Sequence, residues 1–293
     1  MTENNGKVVV VAGATGHQGG AVARRLLAGG FTVKGLTRTP ESPASEELSR
    51  RGVRMIKCDL NDAASVRAAL GGAWGAFGVF ATTPEGPQRE EIQAVNFAHQ
   101  AKAAGLRYYV YSSVASAHRK TGVPHFENKW RVENAVRGMD FESYTILRPA
   151  FFMENFVSPW FWPEITRGKL SLALKPETRL QMIAVEDIGS FAGMAFENAS
   201  RFNRAEVELA GDELAMPQVA GILGAALDIK VQFKPLRIEE LRKTSPDMAA
   251  MYEWFDRGGL NVDLERVRKE YNFQPMTFSR WAAKVKWPIP VNS

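Results

Sequence analysis

The stretch "VVVVAGATGHQGG", residues 8–20, decides the fold. Four consecutive valines have the texture of a strand covered on both faces. Gly13, Gly16 and Gly19 follow at three-residue intervals. The next segment, "HQGGAVARRLLAGG" (17–30), has helical apolar spacing and stops at Gly29-Gly30. Strand, glycine loop and helix in that order open a dinucleotide-binding βαβ unit. The first glycine permits a tight turn, the second lets backbone approach a diphosphate, and the third lets helix and strand pack closely. The helix N-terminus then offers unpaired N–H groups to phosphate oxygens.

Outward from this loop the same alternation continues. Strands are expected at "FTVKGLTR" (31–38), "VRMIKCDL" (53–60), "WGAFGVFATT" (74–83), "RYYVYSS" (107–113) and "SYTILRP" (143–149). Helices are expected at 43–52, 61–72, 86–104 and 124–138 between them. Six strands alternating with helices predict an α/β fold, a Rossmann doubly wound parallel sheet with helices on both faces. After Pro149 the rhythm changes to "AFFMENFVSPWFWPEI" (150–165), aromatic and broken by prolines. Strands near 180–184 and 206–210 and helices at 186–198, 216–226, 245–257, 263–270 and 277–285 follow. The expected division is a dinucleotide-binding domain over 1–150 and a smaller, mostly C-terminal α/β substrate lobe over 151–293. No flexible linker separates them, so the boundary is expected to interleave and the lobe to form the other wall of a cleft.

Composition narrows the function classes. The 293 residues carry a formal charge of +5, with the basic residues spread along the chain. The densest basic cluster, Arg50, Arg51, Arg54 and Lys57, reads as a solvated helix end, so nucleic acid is not an expected partner. A single cysteine, Cys58, allows no internal disulfide, and the four histidines lack metal-site spacing, so no metal is expected. No apolar run approaches the ~20 residues of a membrane span, and "MTENNGK" lacks a signal-peptide core. The expectation is a cytoplasmic chain without a membrane segment.

Ligands in such sheets bind beyond the carboxyl ends of the strands. That rim and its loops supply the candidates: Gly13, Thr15, Gly16, His17, Gln18 and Gly19 for the diphosphate, Thr37 and Arg38 after the second strand, Asp59 and Leu60 after the third, Ala81 and Thr82 after the fourth, and Ser112 after the fifth. Sites for NAD place an acid about 20 residues beyond the glycines, to accept from a ribose hydroxyl. Here Arg38 stands there instead. A guanidinium grips a 2′-phosphate that an acid would repel, so NADP(H) is expected over NAD(H). Asp59 has two readings, an acceptor for the adenine amine or a helix N-cap, a role that Asn61 or Asp62 suits better. Pro149, Phe151, Phe152 and Asn155 leave the sixth strand, where the phenylalanines could pack on a nicotinamide and Asn155 bond an amide or carbonyl. Trp160 and Trp162 read as core.

Together "GATGHQGG", "TRTP", "CDLND", "YSSVAS", "HFENKW", "LRPAFFMENF" and "IAVEDIG" resemble the NmrA-like branch of the short-chain dehydrogenase/reductase superfamily, over roughly residues 7–290. The resemblance implies an NADP-binding Rossmann domain with a small lobe. It also implies one of two activities, an NADPH-dependent reductase or a catalytically silent cofactor sensor that acts on partners. Standard members of the superfamily carry Tyr-x-x-x-Lys on the helix after strand five. Lys129 matches the lysine, which implies contact with the nicotinamide ribose; His125 stands at the tyrosine position. The i, i+4 spacing puts both on one helix face. Imidazole ionises near ~6.5 and phenol near ~10, so histidine is a usable proton donor at neutrality. His125 as donor and His125 as cleft wall or cap remain open.

The leading expectation is a reductase passing hydride to an apolar conjugated or carbonyl-type electrophile such as a quinone, enone or imine. The alternative is an NADP(H)-sensing regulator. The partner is then a small molecule or a regulatory protein, with a homodimer left open.

Overall fold

The computed structural model describes residues 4, 6–81 and 86–288. The chain runs β1 (Val8–Val11), α1 (His17–Ala28), β2 (Thr32–Thr37), α2 (Pro43–Arg50), β3 (Arg54–Lys57), α3 (Ala63–Leu70), β4 (Gly75–Gly78), α4 (Pro87–Ala103), β5 (Tyr108–Ser112), α5 (Pro124–Gly138) and β6 (Ser143–Pro149). It continues through β7 (Phe151–Phe152), α6 (Trp162–Ile165), β8 (Lys169–Leu170), β9 (Arg179–Ile183), α7 (Val185–Glu197), β10 (Ala205–Leu209), β11 (Asp212–Ala215) and α8 (Met216–Leu227). Last come β12 (Gln232–Phe233), α9 (Ile238–Thr244), α10 (Pro246–Asp256), α11 (Leu264–Tyr271) and α12 (Phe278–Ala282).

Two compact units divide the chain. The first comprises Met1–Ala117, Glu127–Arg148 and Val185–Val207, and the second His118–Phe126, Pro149–Ala184 and Glu208–Ser293. The main sheet has seven strands in the order β10-β6-β5-β4-β1-β2-β3. Successive pairs from β6 to β3 are parallel. The chain winds outward from β1 first through β2 and β3, then crosses to β4 on the other side. The order therefore reverses beside β1, the switch point at which doubly wound sheets open a crevice. The valines of β1 explain its central place: Val9, Val10 and Val11 are 0% exposed, as a strand covered on both faces requires.

One face of this sheet carries the core of Val10, Phe97, Tyr109, Tyr111, Val132 and Phe141. On the other, α7 lies against α1. A Cβ on Gly189 would meet Ala21 at 2.8 Å, and one on Gly193 would meet the Arg25 side chain at 2.5 Å. Two glycines on one helix face thus let the backbones approach. The helix expected at 186–198 forms, but it belongs to the first unit, far in sequence from the strands it covers. The fourth strand is shorter than its apolar run, ending at Gly78 where 74–83 was expected.

The second unit holds a three-stranded sheet, β11-β9-β7, and a β12-β8 ribbon. Its core is aromatic: Phe156 meets Phe278 edge to face at 5.4 Å, and Trp162 stacks on Trp287 at 5.6 Å. Trp162 is core as expected, but Trp160 is 87% exposed. The turn through 159–161 that precedes α6 carries Trp160 on its outer side. The sequence periodicity also gave no sign of α9 or of the two-residue strands, which have too few residues to show a period.

Candidate functional site

The bend between β1 and α1 is built without side chains. Gly13 has φ +70°, and a Cβ there would meet the Val79 carbonyl oxygen at 2.8 Å. A Cβ on Gly19 would lie 2.1 Å from the Gly13 carbonyl oxygen, inside van der Waals contact. The first turn of α1 therefore sits directly on the loop only because both positions lack a Cβ. Gly16 closes the turn, its N–H donating to Gly13 at 3.0 Å. Thr15, Gly16 and His17 are exposed. Gly16 also provides the N-cap of α1 without any side-chain hydrogen bond, and no acid occupies the first turn. The unpaired N–H groups and positive end of this helix are left for an anion.

Gln18 faces inward. The Ser112 hydroxyl, at the carboxyl end of β5, donates to its Oε1 at 2.7 Å, and both residues are buried. Two candidates 94 positions apart in the chain thus meet, tying the glycine helix to the central sheet. Ser113, the next residue, buries its Oγ without a partner among the described residues.

At the end of β2, Thr37 is engaged locally: its Oγ1 accepts from the Thr39 N–H at 3.1 Å and from Ser45 Oγ at 3.4 Å. Arg38 is exposed, and among the described residues it makes no hydrogen bond or ion pair. Asp59 is exposed too; its Oδ1 accepts the N–H and the side-chain amide of Asn61, both at 2.9 Å. The cap of α3 is Asp62, which accepts from Ala64 at 2.9 Å. Leu60 is half-buried and Ala81 exposed, while Thr82 lies outside the described residues.

In the second unit Pro149 is buried, and Phe151 and Phe152 are half-buried in β7, in register with Met182 and Ile183 of β9. Phe151 packs on Phe156 at 5.8 Å. Asn155 sits in the short helical turn after β7, and its side chain makes no hydrogen bond among the described residues.

The two residues of α5 divide. Lys129, in the first unit, directs its ammonium to Glu90 at 2.6 Å and to the Phe80 carbonyl at 2.8 Å, and lies 5.7 Å from the Tyr111 ring centre. Lys129 keeps one further N–H, since an ammonium has three. Burial, reinforced by the Glu90 carboxylate, pushes the Tyr111 phenol well above its ordinary range. His125, in the second unit, places Nδ1 2.5 Å from Asp247 Oδ2, an ion-pair distance, while its backbone N–H donates to Asp247 Oδ1 at 3.1 Å. Burial acts to raise the Asp247 pKa. The His125 imidazole and N–H outweigh it and hold the carboxyl below its ordinary range.

Glu90 and Asp247 were invisible to motif reading. Each is a lone acid in the first turn of a helix, where acids are common for reasons of the helix dipole. A third feature was also missed. Arg148 of β6 and Arg137 of α5 share Glu133 and Glu206 in a four-membered ion network, with contacts of 2.6–2.7 Å. The Trp130 ring lies 4.5 Å from the Arg137 guanidinium. Glu133 is 0% exposed, so this network fastens α5 to β6 and β10 from inside the fold.

Among the described residues no helix is long and apolar enough to cross a membrane. No group of three or more His, Cys, Asp or Glu side chains among them could hold a metal ion.

Comparison with known proteins agrees with this architecture. The family model described as "NmrA-like family" matches residues 5–282. The NmrA-like family domain-containing oxidoreductase FrzB of a Cladobotryum species is 28% identical, across 94% of this chain and 86% of that protein. Among solved structures, the Citrobacter triphenylmethane reductase complexed with NADP(H) superposes with a TM-score of 0.79 at 19% identity, covering 95% of this chain and 99% of that one. NmrA, a negative transcriptional regulator in complex with NADP, superposes with a TM-score of 0.76 at 21% identity, covering 97% and 96%. At such identities the two structures speak for the fold alone. The family model, matched over nearly the whole length, settles membership: the chain belongs to the NmrA-like family.

Proposed function

We propose that the chain is an NADPH-dependent reductase that passes hydride to an apolar conjugated or carbonyl-type electrophile. The observation that carries this reading is the Cβ-free bend at Gly13 and Gly19 beneath an uncapped helix N-terminus. A diphosphate suits this place because the glycines put no Cβ in its way and the uncapped helix end offers backbone N–H groups. Arg38, exposed and without a partner among the described residues, is the first residue after β2, where an acid would repel a 2′-phosphate and a guanidinium suits one. FrzB is named an oxidoreductase and the Citrobacter protein a triphenylmethane reductase holding NADP(H), which supports the same chemistry.

The bound cofactor would supply the hydride, and the protein would bind, orient and shield. Gly13, Gly16 and Gly19 would seat the diphosphate. Gln18 and Ser112, bonded to each other, would hold the loop on the sheet. Lys129 would offer its remaining N–H to a ribose hydroxyl, its position set by Glu90 and Phe80.

A second reading, an NADP(H)-sensing regulator, is favoured by one observation: Lys129 already gives two of its donors to Glu90 and Phe80. NmrA itself is a regulator seen with NADP. NADPH depletion followed optically, across a panel of quinones, enones, imines and cationic dyes, separates the two. Turnover lost in Lys129→Met supports the reductase. Tight NADPH binding by calorimetry with no turnover above blank overturns it in favour of the sensor.

A further inference from the structure

His125 is gripped twice by one carboxylate. Asp247, the second residue of α10, accepts the His125 backbone N–H at 3.1 Å and stands 2.5 Å from its Nδ1. The backbone contact fixes where α5 begins; the side-chain contact fixes which way the ring turns. Phe126 closes one side of the imidazole, edge to face at 4.7 Å. Nδ1 is buried against Asp247 at ion-pair distance but is not aligned for a hydrogen bond; Nε2 makes none either among the described residues, and 22% of the side chain stays exposed. A carboxylate beside one ring nitrogen orients the ring and leaves the other nitrogen as the exchanging site.

We propose that His125 and Asp247 form the proton-delivering pair of the reaction, with His125 Nε2 as donor and Asp247 as the residue that positions it. The inference rests on the reductase reading. With a carbonyl acceptor, hydride adds to carbon and the C=O π electrons move to oxygen. The Nε2–H bond breaks, its proton joins that oxygen, and the neutral imidazole regains a proton from water. This supplies what the superfamily's tyrosine would do. Asp247 is itself held in the ionised form, because His125 outweighs its burial.

The choice of acceptor tests the pair. A carbonyl compound needs a proton as well as a hydride; a triarylmethyl cation dye needs the hydride only. Asp247→Asn keeps an oxygen for the His125 N–H and removes the charge, and His125→Gln removes the proton. Each should lower kcat for an aromatic carbonyl acceptor by about 100-fold. The loss with the cationic dye should be at least tenfold smaller, the KM for NADPH should hold within a factor of a few, and Asp247→Glu should restore part of the carbonyl activity. Equal losses with both acceptors would leave Asp247 a helix cap and overturn the proposal, as would no loss with the carbonyl. If the wild type reduces only the carbonyl, a solvent deuterium isotope effect on kcat that vanishes in His125→Gln supports the pair, and its absence in the wild type overturns it. Reduction of the dye alone overturns the pair while keeping the reductase; reduction of neither acceptor overturns both.

Discussion

Lys129 Nζ stands 2.6 Å from a carboxylate oxygen of Glu90, and the two side chains are 12% and 4% exposed. The lysine that family resemblance assigns to a ribose is therefore held by an internal counter-ion as well. Two charges so far from water are tolerable only together. Glu90→Gln should destabilise the fold by about 3–5 kcal/mol, since it strands a buried ammonium. The double variant Glu90→Gln/Lys129→Met should recover a large part of that loss. Urea unfolding of the three variants checks this, and a double-variant loss equal to the sum of the two single losses would show that the pair is not coupled.

Gly19 offers a test of the bend itself. A methyl group there would sit 2.1 Å from the Gly13 carbonyl oxygen, which is backbone and cannot swing aside. Gly19→Ala should cost about 1–3 kcal/mol of stability through overpacking. NADPH affinity should fall at least tenfold at temperatures where the variant stays folded, read by calorimetry alongside circular dichroism.

Arg38 should set the choice between the two pyridine dinucleotides. A charge-assisted guanidinium–phosphate contact is worth about 1.5–3 kcal/mol, so Arg38→Ala should weaken NADPH roughly 10- to 100-fold. NADH, lacking the phosphate, should change by less than about threefold. A uniform loss for both nucleotides would remove Arg38 from the discriminating role.

The network around Glu133 should matter for stability more than for chemistry. Glu133 is fully buried between Arg148 and Arg137, and removing it leaves two guanidiniums with Glu206 alone. Glu133→Ala should cost about 3–5 kcal/mol, measured by chemical denaturation.

The same network predicts a pH dependence. Burial acts to raise the Glu206 pKa, but Arg137 and Arg148 more than offset it and hold the group below its ordinary 4.5. A depressed folded value means that the contribution is complete above about 4.5 and is lost as pH falls through the folded pKa. The stability gap between the wild type and Glu206→Gln should therefore be constant near neutrality and close on acidification below that point. A gap unchanged into the acid range would contradict the assignment.

Much of the first unit was legible in the chain order. The β-branched run at Val8–Val11 and the three-residue glycine spacing depend on neighbours in sequence, and both strand and bend formed where that local pattern put them. The six parallel strands follow from alternation with helices, because right-handed crossovers leave few other windings. By contrast, nothing local placed α7 with the first unit. That depended on Gly189 and Gly193 meeting Ala21 and Arg25, more than 160 positions away in the chain. Nor did local pattern distinguish Trp160 from Trp162; a single turn sent one outward and the other into the core.

The candidate site divides in the same way. Sequence alone determined the glycine bend, the arginine after β2 and the placing of His125 and Lys129 one turn apart, since each is a matter of residue type at fixed spacing. Only the tertiary structure decided their partners: Ser112 for Gln18, Glu90 for Lys129 and Asp247 for His125. The physical reason is the range of the forces. Backbone geometry and periodicity act over a few residues, whereas a buried charge takes its counter-ion from whichever element the packed core brings within reach, and in this chain those elements lie between 39 and 122 residues away.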